Sequence, residues 1–486
     1  MGSNIQLSLL GDVVVLLICT ALLIRHGRLA HSHPATIYLF FHVYAFTLRL
    51  LAISMGAPTL FSTWGAIYRP ITHSEIIRAA ILGDIALIVM TGGWIKAAVD
   101  EAKREKLAQS KFNKPVGVVE LAHLSLLYAS MKISVDEAVE KIRSSSLYRN
   151  NLANLSLRHI WRVVVVVAPI GAVGFFTFGR LPGLDNDIGL GEWQTSSWLT
   201  ITTAWLGLSI LALIYWYGFK LWLMVPMSLY LLAISLQGYH RYRVIIPTIL
   251  LIQIFIDRRQ LKWPPAIMLS VLLVLGVIFY PLKTIGKMVQ QGASTADIIN
   301  SSAKITRDAV IGQNDDQTFL DLFASTLTLV DEAGRLYYGS TYLAILANPI
   351  PRQLWPEKPG LNDFVRDFST PERPMYQTGM VVILLGELYL NFGYLGIFLA
   401  PFFLAYWLAR MYFNAYRYSY FSVQRFFYLL IACNLIQVYR DGLMSIMVFT
   451  CVNMMPLMLI VALHLLFPVK RKPAVGRPLA VSSVGV

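Results

Sequence analysis

Charge is scarce in this chain, and acid is scarcer than base. Only 14% of its 486 residues are charged, against about 25% in soluble domains, and a water-soluble core does not account for the shortfall. The 41 lysines and arginines outnumber the 27 aspartates and glutamates, a formal net charge of +14. In a chain that is 56% apolar, this excess reads first as membrane sidedness; nucleic acid is not an expected partner. Cysteine is nearly absent. Cys19, Cys433 and Cys451 all fall in apolar stretches without CxxC or ligand spacing, so they are read as packing residues. A Walker A loop, GxSxG, HExxH, Cys/His metal spacing and a cytoplasmic DxD-like cluster are also missing. ATP hydrolysis, zinc chemistry and nucleotide-sugar synthase chemistry on the cytoplasmic side therefore lose their usual carriers. No internal repeat is visible.

What is present is apolar sequence in blocks of about 17–23 residues, enough to cross roughly 30 Å of hydrocarbon as helix. Runs such as Val163–Val167 and Val271–Ile278 lack the alternation that a barrel's wet lumen imposes. The expected fold is an all-α polytopic membrane protein of about eleven transmembrane helices. Spans are read near 5–24, 35–55, 76–98, 159–179, 197–217, 220–236, 244–257, 264–282, 395–412, 426–439 and 443–467. No basic residue precedes the first and RHGR follows it, so it reads as a retained span and not a cleaved leader.

Alternate connections are basic: Arg25 and Arg28, the 99–158 stretch, Lys220, Arg258 with Arg259 and Lys262, Arg410 with Arg417 and Arg425, and the tail from Lys470 to Arg477. The positive-inside rule makes these cytoplasmic. The N-terminus and residues 56–75, 180–196, 237–243, 283–394 and 440–442 are then outside, and the C-terminus is inside. The organisation expected is transmembrane helices over 1–98, a cytoplasmic insertion over 99–158, transmembrane helices over 159–282, and an extracytoplasmic loop region with a re-entrant segment over 283–394. Transmembrane helices over 395–467 and a basic cytoplasmic tail over 468–486 complete it. Within the insertion, Val116–Ile133 is interrupted by Glu120, His123 and Lys132 and reads as an interfacial helix, and Ser134–Glu137 is a capping box.

Cations on the outer face run against the sidedness rule. Lys304, Arg307, Arg335, Arg352, Lys358, Arg366 and Arg373 lie in the long loop, Arg241 and Arg243 in the short GYHRYR turn, and Arg440 in YRDG. Any one of them is ordinarily explained as a snorkelling charge or loop ion pair. Their convergence, with two guanidiniums forced to the ends of adjacent helices, suits a phosphate or pyrophosphate. Asp12, His42, Arg49, Asp84 and Lys96 fall within spans, where such groups face partners or a cavity, and Arg49 and Asp84 are candidates to pair. Glu387 lies in GELYLNFGYLG. The run 380–390 is too short to cross and return without a break at Asn391–Gly393, which predicts a re-entrant or outer half-helix. A carboxylate held there is a candidate general base, and a packing hydrogen bond explains one glutamate nearly as well.

The segments GSTYLAILANPIPRQLWPEKPG (Gly339–Gly360) and GELYLNFGYLGIFLAP (Gly386–Pro401), with the LQGYHRYRVII turn (Leu236–Ile246), resemble the Wzy-type oligosaccharide repeat-unit polymerases of O-antigen and exopolysaccharide synthesis. The likeness covers roughly 236–467. It implies a GT-C-like bundle in the bacterial inner membrane that joins undecaprenyl-pyrophosphate-linked repeat units on the extracytoplasmic face. It also implies a donor that needs neither metal nor other cofactor, and a chain-length regulator as a further partner. Carried onto matching positions, Glu387, His240 and Arg352 are the catalytic candidates. Arg241, Arg243, Arg440 and Lys358 are candidates for pyrophosphate, and Tyr239, Tyr242, Trp355 and Tyr389 for glycan stacking. Trp355 reads equally as an interfacial anchor. An O-antigen ligase shares the donor, and a flippase remains open through the charged residues of the first spans.

Overall fold

A computed structural model describes residues 2–57, 71–112, 164–173, 197–236, 242–259, 318–347, 382–417 and 423–443, with isolated positions elsewhere. All regular structure among the described residues is helical. The first half contains α1 (Gly2–His26), α2 (Pro34–His42), a π-helical turn (Val43–Thr47), α3 (Leu48–Ser54), α4 (His73–Phe112), α5 (Val164–Val173), α6 (Ser197–Tyr217), α7 (Leu221–Leu236) and α8 (Tyr242–Arg258). The second contains α9 (Phe319–Ala333), α10 (Ser340–Ala347), α11 (Leu384–Phe392), α12 (Tyr394–Phe398), α13 (Ala400–Tyr416) and α14 (Val423–Asp441).

Among the described residues, four helical stretches are long and apolar enough to cross a membrane: Asn4–His26, Pro34–Ser54, His73–Leu107 and Tyr394–Tyr416. The first, at 23 residues, is about 35 Å long at about 1.5 Å per residue. α5 to α8 and α14 fall on expected spans but are shorter or more polar, while 264–282, most of 443–467, 116–133 and 134–137 lie outside the described residues.

The surface pattern is that of a membrane protein. α1 turns Leu7, Leu10, Leu17, Ile18 and Ile24 outward while Asp12 is fully buried, and α7 exposes Leu221, Trp222, Val225 and Leu229. In water this would leave a large apolar surface uncovered; in hydrocarbon it costs nothing, and the polar groups are the ones that need a protein interior.

Among the described residues, two apolar cores share one helix. The larger joins α1 to α4 with α9 and α11 to α14, and the smaller joins α5 to α8. α14 gives Tyr428, Ala432, Leu435 and Tyr439 to the first, and Phe426, Leu429, Leu430 and Cys433 to the second. It is pinned to the start of α2 because the Tyr428 hydroxyl donates to the Ser32 carbonyl (2.6 Å), and Tyr38 and Tyr439 meet edge to face at 4.9 Å. An aromatic pair of this kind adds about 0.5–1.5 kcal/mol beyond its burial.

Two features differ from the sequence expectation. α4 runs to Phe112, well past the expected end at 98, so the 99–158 region begins as a continuation of a spanning helix. α9, expected in a loop folded over the mouth of the bundle, is instead part of its core. Phe319 to Leu327 and Val330 are buried, with Phe319 against Phe41 and Phe323 against Phe46. Its 15 residues are too few to register as a span, but Phe319, Leu320, Phe323, Leu327 and Val330 recur at helical spacing.

The α9 insertion also corrects the expected ion pair. Arg49 does not meet Asp84; its Nε donates to Asp321 Oδ2 of α9 at 2.6 Å, and both are buried. A guanidinium about four turns into the apolar Pro34–Ser54 stretch requires a carboxylate beside it, and the segment that supplies one falls in the region expected as an extracytoplasmic loop.

Candidate functional site

The two segments that carry the family resemblance are far apart in sequence and stitched together in space. α11 ends at Gly393, whose φ of +58° turns the chain into α12, so the break expected at Asn391–Gly393 is present. Asn391 is fully buried. Its Nδ2 donates to the Glu387 carbonyl one turn back (2.9 Å), and its Oδ1 accepts from the Gly339 amide (3.0 Å) and the Thr341 hydroxyl (2.9 Å). The Tyr337 and Tyr338 amides donate to the carbonyls of Leu390 and Asn391 at 3.1 and 2.9 Å. Residues 337–341 and 387–393 therefore form one unit, with the side-chain amide satisfying backbone groups that a broken helix end leaves open.

Glu387 points from this unit to the end of α14. It is 1% exposed, and its carboxylate lies against Gly442, where an added Cβ would overlap Oε2. Gly442 also has a φ of +81°, so glycine is required there by conformation and by space. Arg440, two residues earlier, lies over the Phe319 ring at 5.8 Å, and its Nε is 3.2 Å from Asp441 Oδ1. Gln437 Nε2 donates to the other oxygen of Asp441. Burial pushes the Asp441 carboxyl up to about 6, offset only in part by Arg440. Tyr342 of α10 is the further neighbour of Glu387, and burial, then that carboxylate, push its phenol up.

Beside this unit is a cleft of about 430 Å³ lined by Asp331, Arg335, Leu336, Tyr389, Phe392 and Tyr394. Arg78 of α4 organises one wall. Its guanidinium donates to Asp331 (2.5 Å), the Tyr389 hydroxyl (3.0 Å) and the Tyr394 hydroxyl (2.6 Å), and the Tyr389 hydroxyl donates to Asp331 at 2.6 Å. Tyr389 is consequently buried and its phenol committed. Phe392 and Tyr394 are the partly exposed rings of the cleft wall, Phe392 stacked on Tyr342 and Tyr394 on Phe398 with Arg78 over it.

Of the residues singled out from sequence, the structure brings Glu387 to the YRDG turn that carries Arg440, and sets Tyr389 in the adjoining cleft wall. Trp355 is 42% exposed. Tyr242 and Arg243 begin α8, but their side chains lie outside the described residues, as do Tyr239, His240, Arg241, Arg352 and Lys358 altogether. Sequence reasoning missed Arg78, Asp331, Asp441 and Tyr342. Arg78 and Asp441 carried a usable signal, since each is an ionisable group at an apolar helix end. Comparison of the chain with protein-family models, curated proteins and solved structures finds no match.

Proposed function

We propose that this membrane protein is an extracytoplasmic glycosyltransferase that polymerises oligosaccharide repeat units carried on undecaprenyl pyrophosphate. The observation that carries the reading is the stitching of 337–341 to 387–393 by Asn391, in a unit whose buried Glu387 meets the arginine-bearing turn and whose Tyr389 reaches the wall of an aromatic cleft.

In this reading a hydroxyl of the incoming unit attacks the anomeric carbon of the growing chain. A glycosidic C–O bond forms, the bond from that carbon to pyrophosphate breaks, and the hydroxyl proton passes to Glu387. Arg440, joined by Arg241, Arg243, Arg352 and Lys358, neutralises the charge that grows on the departing pyrophosphate, while His240 orients the acceptor. Tyr239, Tyr242, Trp355, Phe392 and Tyr394 supply stacking faces for sugar rings. A lipid-borne donor explains why such groups gather at the end of a membrane bundle. An O-antigen ligase would use the same donor and a different acceptor, and the product distinguishes the two.

Cells carrying Glu387→Ala or Arg440→Ala, at normal protein level, are expected to accumulate lipid A cores capped with single repeats. A normal chain-length distribution would contradict the polymerase site, and unattached full-length chains would assign the protein as a ligase.

A further inference from the structure

A second constellation lies in the middle of the first spanning helices, apart from the proposed catalytic end. Asp12 of α1, His42 at the end of α2 and Asp84 of α4 each bring one ligand atom to within 4.8 Å of the others. His42 Nε2 lies 2.9 Å from Asp12 Oδ1 and 3.6 Å from Asp84 Oδ1. The side chains of Asp12 and His42 are fully buried, and that of Asp84 is 15% exposed. All three fall well inside the apolar stretches Asn4–His26, Pro34–Ser54 and His73–Leu107.

We infer that Asp12, His42 and Asp84 form a binding site for one divalent first-row transition-metal ion. Geometry is the first support. Bonds of about 2.0–2.1 Å to nitrogen and oxygen set neighbouring ligand atoms about 2.9–3.4 Å apart, and the two separations from Nε2 bracket that range. Charge is the second. With a neutral imidazole the triad carries two negative charges, and the cations Arg49, Arg78 and Lys96 of the same stretches are engaged elsewhere, with Asp321, Asp331 and Asp100. A dication brings the cluster to neutrality, the state a low-dielectric interior tolerates.

The third support is incomplete hydrogen bonding. Asp12 Oδ2 and Asp84 Oδ1 are buried and have no hydrogen-bond partner among the described residues. The π-helical turn Val43–Thr47 begins directly after His42, and its wider winding carries the Thr47 hydroxyl beside Asp12. One imidazole and two carboxylates are a donor set that suits Zn²⁺, Mn²⁺ or Fe²⁺ and not the all-oxygen preference of Ca²⁺. The ion takes the place of the proton that Nε2 shares with Asp12, and the bound imidazole keeps one proton, on Nδ1: an imidazolium loses its Nε2 proton to solvent, and a neutral ring only changes tautomer. So placed, it fastens α1, α2 and α4 to one another. This site does not depend on the glycosyltransferase reading.

The test is a Co²⁺ titration of the full chain, purified in detergent and stripped with chelator. One equivalent per chain is expected to produce visible d–d bands that saturate, disappear on addition of Zn²⁺, and accompany a rise in melting temperature. His42→Gln and Asp84→Asn are expected to weaken binding at least tenfold while eluting as the wild type does on gel filtration. Should either variant fail to fold, the saturable wild-type bands and the melting shift decide the matter. Wild-type protein without saturable binding, or well-folded variants that bind as tightly, would overturn the site and leave a proton-sharing triad.

Discussion

The two ends of the bundle are built on opposite plans. At one end, helix is tied to helix by ion pairs: Arg28 with Glu105, Arg410 and Arg417 with Glu101, and Arg425 with Asp257. These join the end of α1, the long extension of α4, the end of α13, the start of α14 and the end of α8, where basic residues gather. Arg425 is also covered by the Tyr416 ring at 4.1 Å. At the other end the Asn391 hydrogen bonds join broken helices, a buried glutamate lies under a glycine, and a cleft opens. The first arrangement satisfies charges with one another and leaves little to offer a ligand. The second, among the described residues, holds Arg440 against its sequence neighbour Asp441 and the Phe319 ring at the start of α9, and opens a cleft at the far end of that helix.

That contrast can be broken at either end. The largest effect is expected from Arg425→Ala, which strands the Asp257 carboxylate among apolar side chains and costs about 3–5 kcal/mol. The expected readout is a marked loss of folded, detergent-extractable protein, with Asp257→Ala in the same chain restoring part of it. A single variant with normal yield would remove the ion pairs from the account of that end.

Next is the pH dependence set by Asp441. Its carboxyl is raised to about 6 in the fold, so ionisation costs more there than in the unfolded chain. The stability contribution is therefore fully present below the ordinary carboxylate value and is lost as pH rises through about 6, on the order of 3 kcal/mol in all. Melting temperatures in detergent between about pH 4 and pH 7 are expected to fall for the wild type and to fall less for Asp441→Asn. Parallel curves would contradict the burial of that carboxylate. The smallest effect is expected from Asn391→Ala, about 1–3 kcal/mol from the backbone groups it leaves unsatisfied. Glycan chains in cells carrying it should shorten without disappearing, and unchanged chains would show that the stitching is dispensable.

Much of this was legible in the chain. Length and apolarity marked α1, the α2 to α3 stretch, α4 and α13, and the Asn-Phe-Gly triplet marked the end of α11. The site was legible only in pieces. Glu387 and Arg440 stood out because ionisable groups are rare near apolar runs, but nothing local says that residues 387 and 442 touch. The place of α9 was hidden for a physical reason: a short helix buried among protein helices needs neither the length nor the uniform apolarity of a lipid-facing span. The partners of Arg49 and of Asp12 were hidden with it, since ion pairing across a bundle depends on which helices are neighbours, and single residues do not encode that.

In the proposed reaction the end of the bundle with the cleft carries the chemistry and Glu387 accepts the proton. The most direct measurement is a reaction of the purified chain with a defined undecaprenyl-pyrophosphate-linked repeat unit, following glycan length and released undecaprenyl pyrophosphate together. The wild type should yield both in step, and Glu387→Gln, with an unchanged melting temperature, should slow both by about 100-fold or more. Equal rates in the two proteins, or no lengthening by the wild type, would contradict the account.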